Sequence, residues 1–221
     1  METASTAART IEATASGKAA NRFERRRARS RQALITAARE ILAETGESNA
    51  SIQEIAERAD VGFGTFYNHF TDKTALFDAA VADALEEYGQ LLDRLTGDIE
   101  DPAEVFAASF RLALRLTVIH PEITHILRLR GLQYVHTESG LGSRALRDLK
   151  RGRDLGRFLI EDPDVALSAV GGALIGLLQL NLVADLDARS GEQMAELVLR
   201  MLGLPAEEAR ELSTRPLPNL P

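Results

Sequence analysis

Apolar residues recur along this chain at three- and four-residue spacing, and no stretch alternates with a strand's period of two, so the pattern predicts an all-α protein. Leu34, Ala37, Ala38, Ile41 and Leu42 form one face of a helix expected from about Arg27 to Glu44, stopping before Gly46. Ser51-Ile52-Gln53-Glu54 is a Ser-x-x-Glu capping box, in which hydroxyl and carboxylate satisfy orphan amides at a helix start. Ile52, Ile55, Ala56 and Ala59 carry that helix on for two turns. Asp60-Val61-Gly62 then reads as a tight turn, with Asp60 tolerating a left-handed backbone and Gly62 adopting one without penalty. A second short helix is expected from Gly62 or Phe63 to His69, with Phe66 and Phe70 pointing inward. Two short helices crossing at a small alanine around a tight turn have helix-turn-helix geometry, which lays the second helix in the DNA major groove; a helical hairpin in any small bundle has the same spacing.

Beyond this pair, Thr71 or Asp72 is expected to cap a long helix to about Leu95, with Leu76, Phe77, Ala80, Val81, Ala84, Leu85, Tyr88, Leu91, Leu92 and Leu95 as one stripe. Asp101-Pro102 places a cap and a first-turn proline before a helix over residues 103–119, which His120-Pro121 breaks. A shorter helix carrying Ile123, Ile126, Leu127 and Leu129 leads into one over Leu132 to Arg151, interrupted or bent around Gly140 and Gly142 and capped by Gly152. Asp162-Pro163 repeats the cap-plus-proline signal and launches Val165 to Val183, the most apolar segment. Its length approaches a bilayer span and Gly172 with Gly176 makes a GxxxG pair. Ser168, Gln179 and Asn181 within it, and Asp164 and Asp185 at its ends, favour a soluble core helix and no membrane partner. Apolar on all sides, it needs cover on all sides, and a second subunit is the natural remainder. Ser190 and Gln193 open a further helix ending at Gly203, and a short one from about Pro205 to Leu212 closes the fold. With their two-fold mates the last two long helices would build a four-helix bundle, with Leu174, Leu178, Leu182, Met194, Leu197 and Met201 at the dimer interface.

The run Gly64-Thr65-Phe66-Tyr67-Asn68-His69-Phe70, followed by Asp72-Lys73 and Ala75-Leu76-Phe77, closely resembles the signature of the TetR family of bacterial transcriptional regulators. With the preceding helix, the resemblance covers about Arg31 to Phe77. It implies a helix-turn-helix DNA-binding domain over residues 25–78 and an effector-binding and dimerisation domain over residues 79–221. Carried over position by position, it implies phosphate contacts for Tyr67, His69 and Lys73, a matching Thr65, and close backbone approach at Gly64. Gln53 stands where a polar base reader is common and could pair with adenine, Asn68 is a neighbouring candidate, and Ser51 is a candidate phosphate contact besides its capping role. The bland alternatives are a half-core Tyr67, a packing glycine and a simple cap. Three positions depart from the pattern: Asp60 replaces a glycine, Gly62 a polar cap, and Phe63 a polar or basic residue. Phe63 could touch a thymine methyl or cover the core.

Charge adds to this picture through its distribution. The chain carries a formal net charge of −7, yet residues 1–73 come to +1 and residues 74–221 to −8, so the acid lies away from the motif. Eight basic and two acidic residues fall between Arg9 and Arg31, concentrated from Arg22 onward. Residues 1–24 lack hydrophobic periodicity and are expected to be a disordered basic tail; Arg25, Arg26 and Arg27 are candidate DNA contacts or a solvated charge cluster. No residue is cysteine and no apolar core opens the chain, which is consistent with a cytoplasmic protein.

For the effector, the resemblance implies a pocket within the C-terminal helices. Tyr88, Phe106, Phe110, Leu114, Ile126 and Tyr134 are its candidate lining, though plain core is the simpler account of each, and Arg111, Arg115, Arg128 and Arg130 could meet a ligand carboxylate, though the surface is the simpler place for them. His120, Glu122, His125, His136 and Glu138 do not fit a recognised ligand spacing, so no metal is expected, and no cofactor. No nucleophile elbow or phosphate loop points to an enzyme. The expectation is a homodimeric regulator, most simply a repressor released from double-stranded operator DNA by a small molecule. The alternatives are an architectural DNA-binding protein without an effector and a helical metal-dependent enzyme.

Overall fold

A computed structural model describes residues 2–45, 50–119, 121–181, 184 and 188–218. Among these, every regular element is helical: α1 (Glu2–Thr45), α2 (Ile52–Arg58), α3 (Phe63–Tyr67), α4 (Lys73–Thr96), α5 (Pro102–Ile119), α6 (Pro121–Tyr134), α7 (Gly140–Asp154), α8 (Pro163–Leu180), α9 (Ala188–Met201) and α10 (Ala206–Thr214). The chain divides into two compact units, one of Met1–Ile41 with Glu47–Ala80, the other of Leu42–Gly46 with Val81–Pro221.

The first unit is built on Leu34, Ile35, Ile55, Phe66 and Leu76, each buried almost completely. Ser51 caps α2, its Oγ accepting from the Glu54 amide at 3.1 Å. The turn differs from expectation in where its strain sits. Asp60 alone takes the left-handed backbone, at φ 51°, while Gly62 is an extended N-cap at φ −65°. An aspartate suffices because its short side chain tolerates that region. Helix α3 ends at Tyr67; the amides of Asn68 and His69 bond three residues back, to Thr65 and Phe66, which tightens the last turn. Asp72 is the residue that caps α4, accepting from the Ala75 amide at 2.8 Å.

Residues 2–24, expected as a disordered tail, continue α1 as helix. The segment has no apolar stripe, but its alanines, glutamates and arginines are good helix formers. They extend a helix already nucleated by the packed turns after Leu34.

The second unit packs α5, α7, α8, α9 and α10 around Phe106, Phe110, Leu149, Phe158, Leu167 and Leu199. Phe106 and Phe158 meet edge to face, 5.8 Å between centroids. Of the two forms expected over 132–151, interrupted or bent, the structure has the interrupted one: the end of α6 and the whole of α7, separated by Val135 to Ser139. The break sits at Gly140 because its φ of 79° suits glycine and because a side chain there would press on Leu85. Gly152 lies within the last turn of α7 rather than capping it, and leaves room for the Phe158 ring. Helix α9 begins at Ala188, ahead of the box at Ser190. It ends in a Schellman motif, with the Leu204 amide bonded to Leu199, the Gly203 amide to Arg200, and Gly203 at φ 102°. Arg111, buried in α5, ties down the C-terminal segment by donating to the Arg215 carbonyl at 2.7 Å and to Glu192 at 3.3 Å.

Candidate nucleic-acid interface and interior cavity

In the first unit, packing Phe66 and Phe70 inward turns the rest of α3 outward. Gly64, Tyr67 and Asn68 are exposed, as are Ser51 and Gln53 on α2, and Thr65 is half-buried. Phe63 and Tyr67 are each 54% exposed and meet edge to face at 5.7 Å, so Phe63 is not core. A side chain at Gly64 would meet nothing within 4 Å, so the glycine serves no packing need within the unit. Gln53 donates to Glu57 at 2.9 Å, a bond it must release to read a base edge.

His69 and Lys73 are anchored by the unit itself. The His69 Nε2 lies 2.8 Å from the Ser30 hydroxyl of α1. Burial, followed by the nearby Arg27 and Arg31 charges, lowers the His69 pKa and favours the neutral ring. Lys73 donates through Nζ to the Ala50 carbonyl at 3.1 Å, holding the entry to α2 against the start of α4. Arg31 lies over the Phe70 ring at 5.2 Å. Arg25, Arg26 and Arg27 are exposed on α1.

The second unit holds a mainly apolar, partly open cavity of about 110 Å³ between α4, α5, α6, α7 and α8. Of the expected lining residues, Phe106, Phe110 and Tyr134 are on its wall. Tyr88, Leu114 and Ile126 are not: Tyr88 is buried with its hydroxyl donating to the Ala113 carbonyl at 2.6 Å, and Ile126 is core. Arg111 is engaged with Arg215 and Glu192, and Arg115 is exposed. The side chains of Arg128 and Arg130 lie outside the described residues, as do those of His120, Glu122 and His125. His136 is exposed and paired with the Ser168 hydroxyl at 2.9 Å.

Sequence reasoning missed the charged part of the wall, Asp93, Arg144 and Asp148. Arg144 donates to Asp93 at 2.8 Å and, through both terminal nitrogens, to Glu86 at 2.8 Å each, so one guanidinium grips α4 at two points a heptad apart. The grip crosses Gly89, where a Cβ would lie 2.7 Å from the Arg144 Cδ. The Arg144 bond holds the Glu86 carboxyl down to about 2, with the Gly140 amide contributing. Burial pushes Asp93 up, but the bonds from Arg147 and Arg144 outweigh it and leave its pKa lowered. Asp148, more deeply buried, is raised despite its bond from Arg147.

The residues expected at a dimer interface divide. Leu178 is buried within its own subunit and Leu174 lines the cavity, because the inward face of α8 also carries Leu167 and Val170. Its outward face is Val165, Ala169, Gly172, Gly176 and Leu180, a stripe of small and apolar residues that periodicity could not distinguish from the inner one. Leu197 and Met201 of α9 are 56% and 47% exposed, Met194 is half-buried against the core, and Leu182 lies outside the described residues.

Comparison with known proteins agrees with this architecture. Residues 34–80 match the family model described as bacterial regulatory proteins, tetR family, and residues 101–215 match the tetracyclin repressor-like C-terminal domain. The HTH-type transcriptional repressor AcnR of Corynebacterium efficiens is 34% identical over 92 residues, 38% of this chain and 48% of that protein. The HTH-type regulator YvdT of Bacillus subtilis is 33% identical over 105 residues, 47% of this chain and 53% of that one. The chain thus spans about half the length of these curated relatives. Among solved structures, RolR in complex with resorcinol is 41% identical with a TM-score of 0.75, covering 89% of this chain and 98% of RolR. Matches at both ends of the chain, and a solved relative followed over nearly its whole length, establish that this protein belongs to the TetR family of bacterial regulators.

Proposed function

We propose that this protein is a cytoplasmic, homodimeric transcriptional repressor that leaves its operator when a small hydroxylated aromatic compound fills the cavity of the second unit. The observation that carries the reading is the cavity itself. Its volume of about 110 Å³ is on the scale of the roughly 150 Å³ apolar space that takes one benzene molecule. Apolar walls suit a single ring, and the Arg144–Asp93 pair supplies both a donor and an acceptor for ring hydroxyls. The bound resorcinol of RolR, a dihydroxybenzene, supports that class. The direct test is titration of purified protein with resorcinol and with toluene by calorimetry; saturable binding of the first and not the second is expected, and the reverse preference would remove the hydroxyl-recognition role.

On the DNA side, Ser51, Gln53, Phe63, Gly64, Thr65, Tyr67, Asn68, His69 and Lys73 form the proposed contact surface. A two-fold dimer would place two α3 helices in successive major grooves of a palindromic operator, about 34 Å apart. Tyr67→Phe removes only an exposed hydroxyl. It should weaken operator binding by about tenfold, as expected for one lost hydrogen bond to a charged phosphate, with unchanged thermal unfolding. Unchanged affinity in a gel-shift titration would strike Tyr67 from the surface.

The second subunit is proposed to dock on the outward faces of α8 and α9. Small Ala169, Gly172 and Gly176 allow close helix approach, flanked by Val165, Leu197 and Met201. Burying this patch answers the exposure that one subunit leaves on its most apolar helix. Leu197→Asp with Met201→Asp should weaken dimerisation by more than about tenfold in sedimentation velocity, since each buries an unpaired carboxylate. A dimer of unaltered strength would move the interface elsewhere.

A further inference from the structure

Helix α1 carries more charge than the motif uses, and its geometry sorts that charge. At about 100° per residue, Arg22, Arg25, Arg26 and Arg29 fall within an arc of about 100°. All four are exposed. Arg27 and Arg31 fall on the other side, where both charges act on His69 and Arg31 lies over the Phe70 ring. The stripe has only Glu24 as an acidic neighbour between Arg22 and Arg31.

Its position relative to the motif is fixed within the unit. Ser30, one residue past the stripe, is hydrogen-bonded to His69 just beyond the end of α3. The stripe therefore occupies the two turns of α1 that immediately precede its contact with the end of the motif. From Ser30 back to Arg22 the rise is about 12 Å, at about 1.5 Å per residue. One DNA strand presents a phosphate every 3.4 Å or so of axis, so this length faces about three phosphates.

We infer that Arg22, Arg25, Arg26 and Arg29 form a helical phosphate rail that extends the operator footprint beyond the recognition helix. The inference rests on the DNA-binding reading given above. A rail on a helix differs from an extended arm in the groove: the guanidiniums keep fixed spacing, bind backbone rather than base edges, and add affinity without sequence preference.

The test compares wild type with Arg22→Gln/Arg25→Gln/Arg26→Gln/Arg29→Gln on two duplexes, the protein's own upstream intergenic DNA and a random sequence. Glutamine keeps the helix propensity, and a second variant with four lysines keeps the charge. With about three phosphates released per subunit, the slope of log affinity against log salt should become shallower by roughly 2 to 3 per subunit on both duplexes. The lysine variant should retain the wild-type slope. A glutamine variant with wild-type slope and affinity would overturn the rail alone. A wild-type protein that binds neither duplex would overturn the DNA-binding reading and the rail with it. Loss of slope in the lysine variant as well, with its helicity intact, would also overturn the rail, since charge would not be what the positions supply.

Discussion

Replacing Gly142 with alanine is expected to destabilise the second unit more than any other single methyl added to the protein's described glycines. The added carbon would lie 2.0 Å from the Val135 carbonyl oxygen, 2.7 Å from its carbon and 2.9 Å from the Tyr134 oxygen. All three are backbone atoms, so no rotamer change relieves the clash; α7 must move off the end of α6. Overpacking of this kind costs about 3 kcal/mol or more, which for a domain of this size lowers the melting temperature by roughly 6–12 °C. Gly152→Ala is the informative comparison. Its carbon would meet the Phe158 ring at 2.1 Å, but a ring can turn where a peptide cannot, so the smaller loss is expected there. Gly64→Ala, with open space around it, should leave stability within about 0.5 kcal/mol or raise it. Thermal unfolding followed by circular dichroism ranks the three; a Gly142→Ala protein that melts like wild type would mean that α6 and α7 do not pack as described.

Gly142 also shows why part of this molecule is legible in the sequence and part is not. The motif is written in short-range signals: a serine cap, an aspartate that accepts the left-handed turn, and two phenylalanines one turn apart. Each acts within a few residues, and each is found where the pattern puts it. The cavity wall is assembled over long distances. Asp93 and Arg144 are separated by 51 residues and meet only because α7 lies across α4. In the sequence, Arg144 sits in a run with Arg147, Arg151 and Arg153 that reads as a solvated face, and Gly89 as an interruption in an apolar stripe. Neither carries a local mark of the other. Helix α8 fails differently: its two faces are similarly apolar, so periodicity identifies the helix but not which side the subunit keeps for itself. The N-terminal helix has propensity without pattern, and a reading based on hydrophobic period discards it.

Arg144→Met should abolish the response to effector, so that operator affinity is the same with it and without it. The guanidinium has two sets of partners: it faces the cavity, and it holds Glu86 and Asp93 on the helix that continues from the second unit into the first. On the proposed function, a ring hydroxyl entering the cavity would compete with Asp93 for Arg144, so occupancy and the grip on α4 could not both be at their strongest. That competition is the differential affinity any ligand-driven shift requires. Wild type should lose about 5- to 150-fold in operator affinity at saturating effector, the usual range of coupling between sites. Methionine fills much of the arginine's volume and offers the hydroxyl no donor, so the ratio should fall to about one. Lysine should not restore it, because an ammonium on a flexible stem cannot replace the fork that reaches both carboxylates. Gly89→Ala provides the independent arm. Its methyl touches only the end of the Arg144 side chain, which can swing away, and alanine favours the helix by about 1 kcal/mol. The protein should stay folded with its cavity intact, bind the phenol, and yet show a weakened release of DNA, measured as operator affinity with and without resorcinol. Full release from both Arg144→Met and Gly89→Ala proteins would show that the grip on α4 is structural and that the signal leaves the cavity through another helix.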